Sequence, residues 1–328
     1  MPDLIVGVDV GGTKVSVATL RDGQLGEPIL RPTDLSGPDA LIAQIAAAVR
    51  DAAGEEQPDA VGVGIPSIVE FETGRVRSST NIPLRDVELR HVFERELEVP
   101  VFVDNDATVA ALAEAHDENG RLDVDCLVML TIGTGVGGGI VIAGRPYRGA
   151  TGAAGEIGHT LIGIDNDIPD ASARFPQPGS LEGLAAGHAL DGLTREAAAA
   201  HPGSALGRAL AEHGSIAGPD TVMAAKAGDA LAVSLLALLG RRVGIGIANA
   251  INTFDPDVVA IGGGVSSAGE LLLAPAVEVA WGYVREGVGT KTEIRLARSG
   301  PQAGVRGAAL LARSELAAHQ HDYEKEAR

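Results

Sequence analysis

Asp9-Val10-Gly11-Gly12-Thr13-Lys14 and Thr131-Ile132-Gly133-Thr134-Gly135-Val136-Gly137-Gly138-Gly139 are the two stretches whose reading decides the fold. Each follows an apolar run, Leu4 to Val8 before the first and Cys126 to Leu130 before the second, and each leads into another apolar, β-branched stretch. Glycine in such a turn lets the backbone take a positive φ and lets its N–H groups close on a ligand. Two of these turns, each opening a hairpin, point to a nucleotide phosphate chain gripped from both sides, and so to phosphoryl transfer.

Two other phosphate motifs are weighed against this. Gly7 to Lys14 resembles a Walker loop, but the order Gly12-Thr13-Lys14 breaks the required Gly-Lys-Ser/Thr ending. Gly133-x-Gly135-x-x-Gly138 satisfies the dinucleotide pattern, with Glu156 near the place of a ribose-binding acid. A dinucleotide turn must open a helix, whereas Gly139-Ile140-Val141-Ile142-Ala143-Gly144-Arg145 reads as a short strand ending in a turn. Either glycine cluster alone could be a plain tight turn.

Composition narrows the classes further. A chain of 328 residues suggests about two domains and a large core. A net charge of −18 opposes binding to a nucleic-acid backbone. No apolar run reads as reaching membrane-span length, and the first residues do not read as a signal peptide, so a cytoplasmic protein with no membrane partner is expected. The lone Cys126 excludes disulfides within the chain and cysteine-rich zinc clusters, and its position in an apolar run reads as a buried small side chain.

Along the chain, residues 4 to 8, 15 to 20 and 27 to 31 read as strands. Leu41, Ile42, Ile45 and Val49 mark a helix from about Gly37 to Ala53. Ala60 to Ile65 reads as a buried strand, Val87 to Leu97 as a helix and Val101 to Val103 as a strand. Asp104-Asn105-Asp106-Ala107 then opens an alanine-rich helix to about Ala115, in the residue types that helix N-termini favour. The plan begins again at Cys126, which predicts two related α/β lobes around a cleft, with Asp117 to Gly120 as a polar hinge. The polar, proline-bearing stretch from Gly163 to Ser180 reads as a loop or lid, and the charged residues from His319 as frayed.

With these segments in order, the sequence resembles the ROK family (repressors, open reading frames and sugar kinases) of the actin-like ATPase superfamily. The resemblance runs from Gly7 to about Ala312. It rests on the two glycine segments, Asn81-Ile-Pro83, Asp104-Asn-Asp-Ala107, Gly155-Glu-Ile-Gly-His159, Gly179-Ser-Leu-Glu182 and Ile261-Gly-Gly-Gly264. It implies a two-lobed actin-like (ribonuclease H-like) α/β fold with a central cleft. The lobes would be residues 1–118, with the first phosphate loop and the catalytic acid, and 119–300, with a C-terminal helix at 301–328 returning to the small lobe.

The resemblance also implies roles. Gly11, Gly12, Thr13 and Lys14, with Gly133, Thr134 and Gly135, would hold the phosphates of ATP, and Gly262, Gly263 and Gly264 would lie against adenosine. Transfer to a sugar hydroxyl needs in-line positioning, charge neutralisation and a carboxylate to take the proton. Asp106, the second acid of its segment, is the expected base, Asp104 being the weaker choice, and an ordinary helix cap is what Asp106 would be outside this context. Asn81, Asn105, Glu156, His159 and Glu182 form the expected sugar set, because paired acids and amides bridge vicinal hydroxyls. Singly, Glu156 and Glu182 also read as surface acids and His159 as a core histidine. Asp9 would steer Mg²⁺, directly or through water.

Many members of the family carry a cysteine zinc loop between the histidine and the second glutamate. Here that interval has no cysteine, so a loop without zinc is expected. The leading expectation is an ATP-dependent kinase for the 6-hydroxyl of a free hexose, glucose first, with fructose, mannose, N-acetylmannosamine and N-acetylglucosamine as alternatives. Polyphosphate is the alternative donor, although the relatives that use it differ in the first glycine segment. The sugar-sensing repressors of the family need a basic helix-turn-helix that the approach to Asp9 leaves no room for. A sugar-binding protein without catalysis and a nicotinamide dehydrogenase are the remaining alternatives. The resemblance also implies a homodimer and domain closure that excludes water.

Overall fold

The structure is a computed structural model that describes residues 4–79, 81–163 and 175–326. The chain divides into two units, one of residues 1–127, 139–155 and 299–328 and the other of residues 128–138 and 156–298.

In the first unit the early apolar runs become β1 (Ile5–Val10) and β2 (Lys14–Arg21), followed by β3 (Gln24–Leu25) and β4 (Ile29–Pro32). Helix α1 (Pro38–Ala53) starts on a proline, whose missing N–H costs nothing there, and buries Leu41, Ile45 and Val49. Strand β5 (Ala60–Ile65) is buried throughout, as expected for a central parallel strand. A small meander of β6 (Ser67–Glu70), β7 (Arg75–Ser79) and β8 (Val87–Glu88) follows. It takes Val87 and Glu88 from the predicted helix, because they pair with Val76 and Arg75, so that α2 begins only at Leu89 (Leu89–Leu97). Strand β9 (Val101–Asn105) runs straight into α3 (Asp106–Glu114). The sheet order is β3-β2-β1-β5-β9, with β4 also on β2. Strand β1 is antiparallel to β2 and parallel to β5, which is parallel to β9.

The second glycine segment lies between β10 (Leu127–Ile132) and β11 (Val136–Ile142), and β12 (Arg145–Pro146) completes the hairpin plan. Helices α4 (Leu181–Ala185), α5 (Gly187–Ala200), α6 (Ala205–His213), α7 (Gly218–Lys226) and α8 (Ala230–Phe254) come next. Strand β13 (Val258–Gly262), α9 (Glu270–Tyr283) and β14 (Glu293–Leu296) follow, and α10 (Ala303–Glu326) closes the chain. The order β12-β11-β10-β13-β14 repeats that of β3-β2-β1-β5-β9, strand for strand. The strand of residues 139–142, rather than a helix, removes the dinucleotide reading.

Several expectations change. The unit boundary falls at residue 127 rather than 118, and residues 139–155 belong to the first unit. Within that unit Arg148 bonds Asp104 and Glu315. Asp117 to Gly120, the expected hinge, is hydrogen-bonded within that unit. Asp117 Oδ1 accepts the N–H groups of Asn119 (2.9 Å) and Arg121 (2.8 Å), while Arg306 and Arg313 of α10 donate to the carbonyls of Asp117 and Gly120. The end of α10 is ordered as helix to Glu326, with the His319 ring edge-on to Phe102 at 5.5 Å. Helix α8 is long and apolar enough to cross a membrane by length and composition, with a mean hydropathy of 1.7. Its Leu236, Leu239, Val243 and Ile247 instead lie in the core of the second unit. Residues 164–174, most of the predicted loop, lie outside the described residues.

Candidate active site

In the first unit the site grows from the ends of β1 and β9. Asp9 stands near the end of β1, and the turn that follows is closed by the Gly11 N–H donating to the Lys14 carbonyl at 2.8 Å. Thr33 braces it, its hydroxyl donating to the Gly11 carbonyl at 2.7 Å and its N–H to the Thr13 carbonyl at 3.1 Å. Thr13 and Lys14 remain exposed. Asn81 lies against this turn, since a Cβ on Gly12 would stand 3.2 Å from the Asn81 Cβ.

At the β9–α3 junction Asn105, not Asp106, is the cap. Its Oδ1 accepts the N–H groups of Ala107 (2.9 Å) and Thr108 (3.1 Å), and its Nδ2 donates to the Ser67 carbonyl at 3.3 Å. Asp106 occupies the first helical position, half-buried, with its Oδ1 taking the Ala107 N–H at 2.8 Å. Asp104 is 2% exposed, and its carboxylate accepts from Arg148 Nε at 2.7 Å and from the Asn105 N–H at 2.9 Å. Burial pushes the Asp104 pKa up, and Arg148 opposes that shift.

Asp9 has a pKa raised to about 6, first by burial and then by the charge of Asp106, with Lys14 pulling the other way. Its carboxylate lies so close to Gly304, near the start of α10, that any side chain there would collide with it. Two acids that repel each other and one cation beside a glycine turn form a donor set suited to a divalent cation and a phosphate. Among the described residues no group of three or more His, Cys, Asp or Glu could hold a metal ion by itself.

In the second unit the turn between β10 and β11 is closed by the Gly133 N–H donating to the Gly135 carbonyl at 2.9 Å. Gly263, with φ of 83°, presses on the backbone of Ile132, so the Gly262–Gly264 turn adjoins this phosphate turn. Glu182 Oε2 accepts the Val136 N–H at 2.8 Å. Glu156 and His159 are three apart on a short turn, with Oε2 and Nε2 3.6 Å from each other. The Leu181 N–H donates to the Thr160 carbonyl at 2.9 Å, which brings the Glu182 segment beside that turn. The second unit therefore gathers Glu156, His159, Glu182 and two of the glycine turns. The first gathers Asp9, the residues 11–14 turn, Asn81, Asn105 and Asp106.

Arg148, Gly304 and His188, whose Nδ1 lies 2.9 Å from the Thr134 carbonyl, also touch site groups and escaped the sequence reading. Arginine before a glycine and histidine at a helix start carry no signal until the partner is known. Gly304, in a glycine-bearing turn ahead of an apolar helix, had a weak one.

These two sheets, each led by a hairpin with a glycine turn, define a two-domain actin-like ATPase of the sugar-kinase class. The chain belongs to the ROK family, whose model matches residues 5–315. It is 35% identical over 319 residues to a glucokinase of Halalkalibacterium halodurans, covering 94% of this chain and 95% of that one. It is similar in structure to a ROK family glucokinase from Streptomyces griseus in complex with glucose and AMPPNP. That likeness has a TM-score of 0.80 at 32% identity, covering 95% and 99% of the two chains. The ROK hexokinase from Thermus thermophilus is also similar, with a TM-score of 0.74 at 34% identity over 96% of this chain and 99% of that one.

Proposed function

We propose that the chain transfers the γ-phosphoryl group of ATP to the 6-hydroxyl of glucose, with Asp106 as the general base. The observation that carries this is the placing of Asp106 at the start of α3 within electrostatic reach of Asp9, beside the first glycine turn. A carboxylate held there can take the hydroxyl proton as the oxygen attacks. The turn N–H groups and Lys14 would meet phosphate charge, and Thr13 and Thr134 would add hydroxyl contacts. Mg²⁺, held near Asp9, would supply neutralisation of the phosphate charge when bound.

Asn81 and Asn105 of the first unit and Glu156, His159 and Glu182 of the second are the proposed sugar contacts. Both acceptor sites of Asn105 Oδ1 are used by the helix cap, so Asn105 would serve a sugar oxygen as a donor through Nδ2. Gly262 to Gly264 are proposed to face adenosine. A homodimer, a cytoplasmic location and a place in hexose catabolism belong to the same proposal and rest on kinship with the family.

The test is release of ADP from Mg-ATP across a panel of hexoses and amino sugars, with Asp106→Asn in parallel. Turnover is expected with glucose, and the variant should lose roughly 10²–10⁴-fold in kcat while still binding sugar. Turnover confined to another sugar would move the specificity, and turnover only with polyphosphate would move the donor. An Asp106→Asn enzyme as fast as wild type would remove Asp106 as the base.

A further inference from the structure

Resting on that reading, we propose that Glu182 is also a positioning residue for the second phosphate turn, and that sugar and nucleotide binding are coupled through its two carboxylate oxygens. Oε2 is already engaged, accepting the Val136 N–H at 2.8 Å. Glycine at residue 135 leaves room for this, because a Cβ there would displace the same oxygen. Oε1 is then the oxygen left to a sugar hydroxyl, so one rigid carboxylate serves both ligands.

The segment that bears this carboxylate is itself held. Ser180, fully buried, caps α4 by accepting the Gly183 N–H at 3.0 Å, and Leu181 beside it is fully buried too. The Leu181 N–H bonds the Thr160 carbonyl at 2.9 Å, tying the segment to the turn that bears Glu156 and His159. From the same segment the Gly187 N–H donates to the Gly133 carbonyl at 2.7 Å, and His188 Nδ1 donates to the Thr134 carbonyl at 2.9 Å. Residues 182, 187 and 188 thus bond residues 136, 133 and 134, running along the whole turn. A sugar bound to Oε1 would keep Oε2 on the Val136 N–H and so steady the turn that receives phosphate, and by linkage the nucleotide must favour the sugar by the same factor.

The experiment is calorimetric titration of AMPPNP with Mg²⁺, with and without saturating glucose, into wild type, Glu182→Gln and Glu182→Ala. Wild type should bind AMPPNP at least about fivefold more tightly with glucose present. Glu182→Ala should lose roughly tenfold in AMPPNP affinity with no sugar present, since the turn loses a charge-assisted hydrogen bond. Glu182→Gln keeps an acceptor for the Val136 N–H, so it should hold its sugar-free AMPPNP affinity within about twofold while losing glucose affinity. Sugar-free AMPPNP affinity unchanged in Glu182→Ala, together with lost glucose affinity, would leave Glu182 as a sugar ligand alone and overturn the inference.

Amide exchange at Val136 in the wild type gives a second reading that needs no variant. Its protection should rise on adding glucose alone, and an unprotected Val136 N–H would overturn the proposal equally. Wild type that binds neither AMPPNP nor glucose would sink the proposed kinase function instead.

Discussion

At the scale of single residues, Asp9 carries a clear electrostatic signature. Its pKa, raised from 3.8 to about 6, means that the folded protein holds a proton there more tightly than the unfolded chain does. The stabilisation is therefore complete below about pH 4 and is lost as pH rises through about 6, amounting to at most about 3 kcal/mol. Asp9→Asn should consequently match wild type in denaturant stability near pH 4 and exceed it at pH 7, in protein free of Mg²⁺ and nucleotide. Equal stability at both pH values would show that Asp9 ionises there without cost. Asn105 is a related case, since the residue proposed to read sugar is also the helix cap, its Oδ1 taken by the N–H groups of Ala107 and Thr108.

At the scale of elements, the β9–α3 junction is held from beneath by Arg148. Its guanidinium bonds Asp104 at 2.7 Å, reaches Glu315 at 3.4 Å and lies 3.4 Å from the centre of the Phe71 ring. Removing one partner of a buried pair leaves the other charge uncompensated, at a cost of about 3–5 kcal/mol. Arg148→Met should show that loss in chemical denaturation, and adding Asp104→Asn should recover much of it. A double variant no more stable than the single one would mean that the pair is not what supports the junction. The sequence reading found α1, α3 and the central strands because apolar periodicity and cap residues announce them. It missed the β6–β7–β8 meander and took Val87 and Glu88 into α2, because a four-residue pairing broken by a register shift and a two-residue one leave no periodic trace.

At the scale of the whole molecule, ligands that bind only the folded state must stabilise it. Glucose at about a hundred times its Kd should add about 2.7 kcal/mol, seen as a rise in the unfolding midpoint, and AMPPNP with Mg²⁺ should act likewise. No shift with either ligand at saturating concentration would count against the proposed kinase function. The order of strands in the two sheets is the same, β3-β2-β1-β5-β9 and β12-β11-β10-β13-β14, although the residues along them differ. That agreement was legible in advance only as a repeated hairpin at Asp9 and at Thr131, since the helices inserted before β13 conceal the rest.

The sequence by itself determined the positions of the glycine turns, the apolar strands that lead into them and the acids and amides available to a sugar. These are local properties of backbone freedom, side-chain polarity and spacing. The tertiary structure alone decided that Asn105 rather than Asp106 caps α3, that Arg148 neutralises Asp104, that Gly304 makes room for Asp9 and that Glu182 grips the turn at Val136. Each of these joins residues remote along the chain or chooses between neighbours of equal propensity. Packing and the need to satisfy buried charge settle them, and neither can be read from residues taken in order.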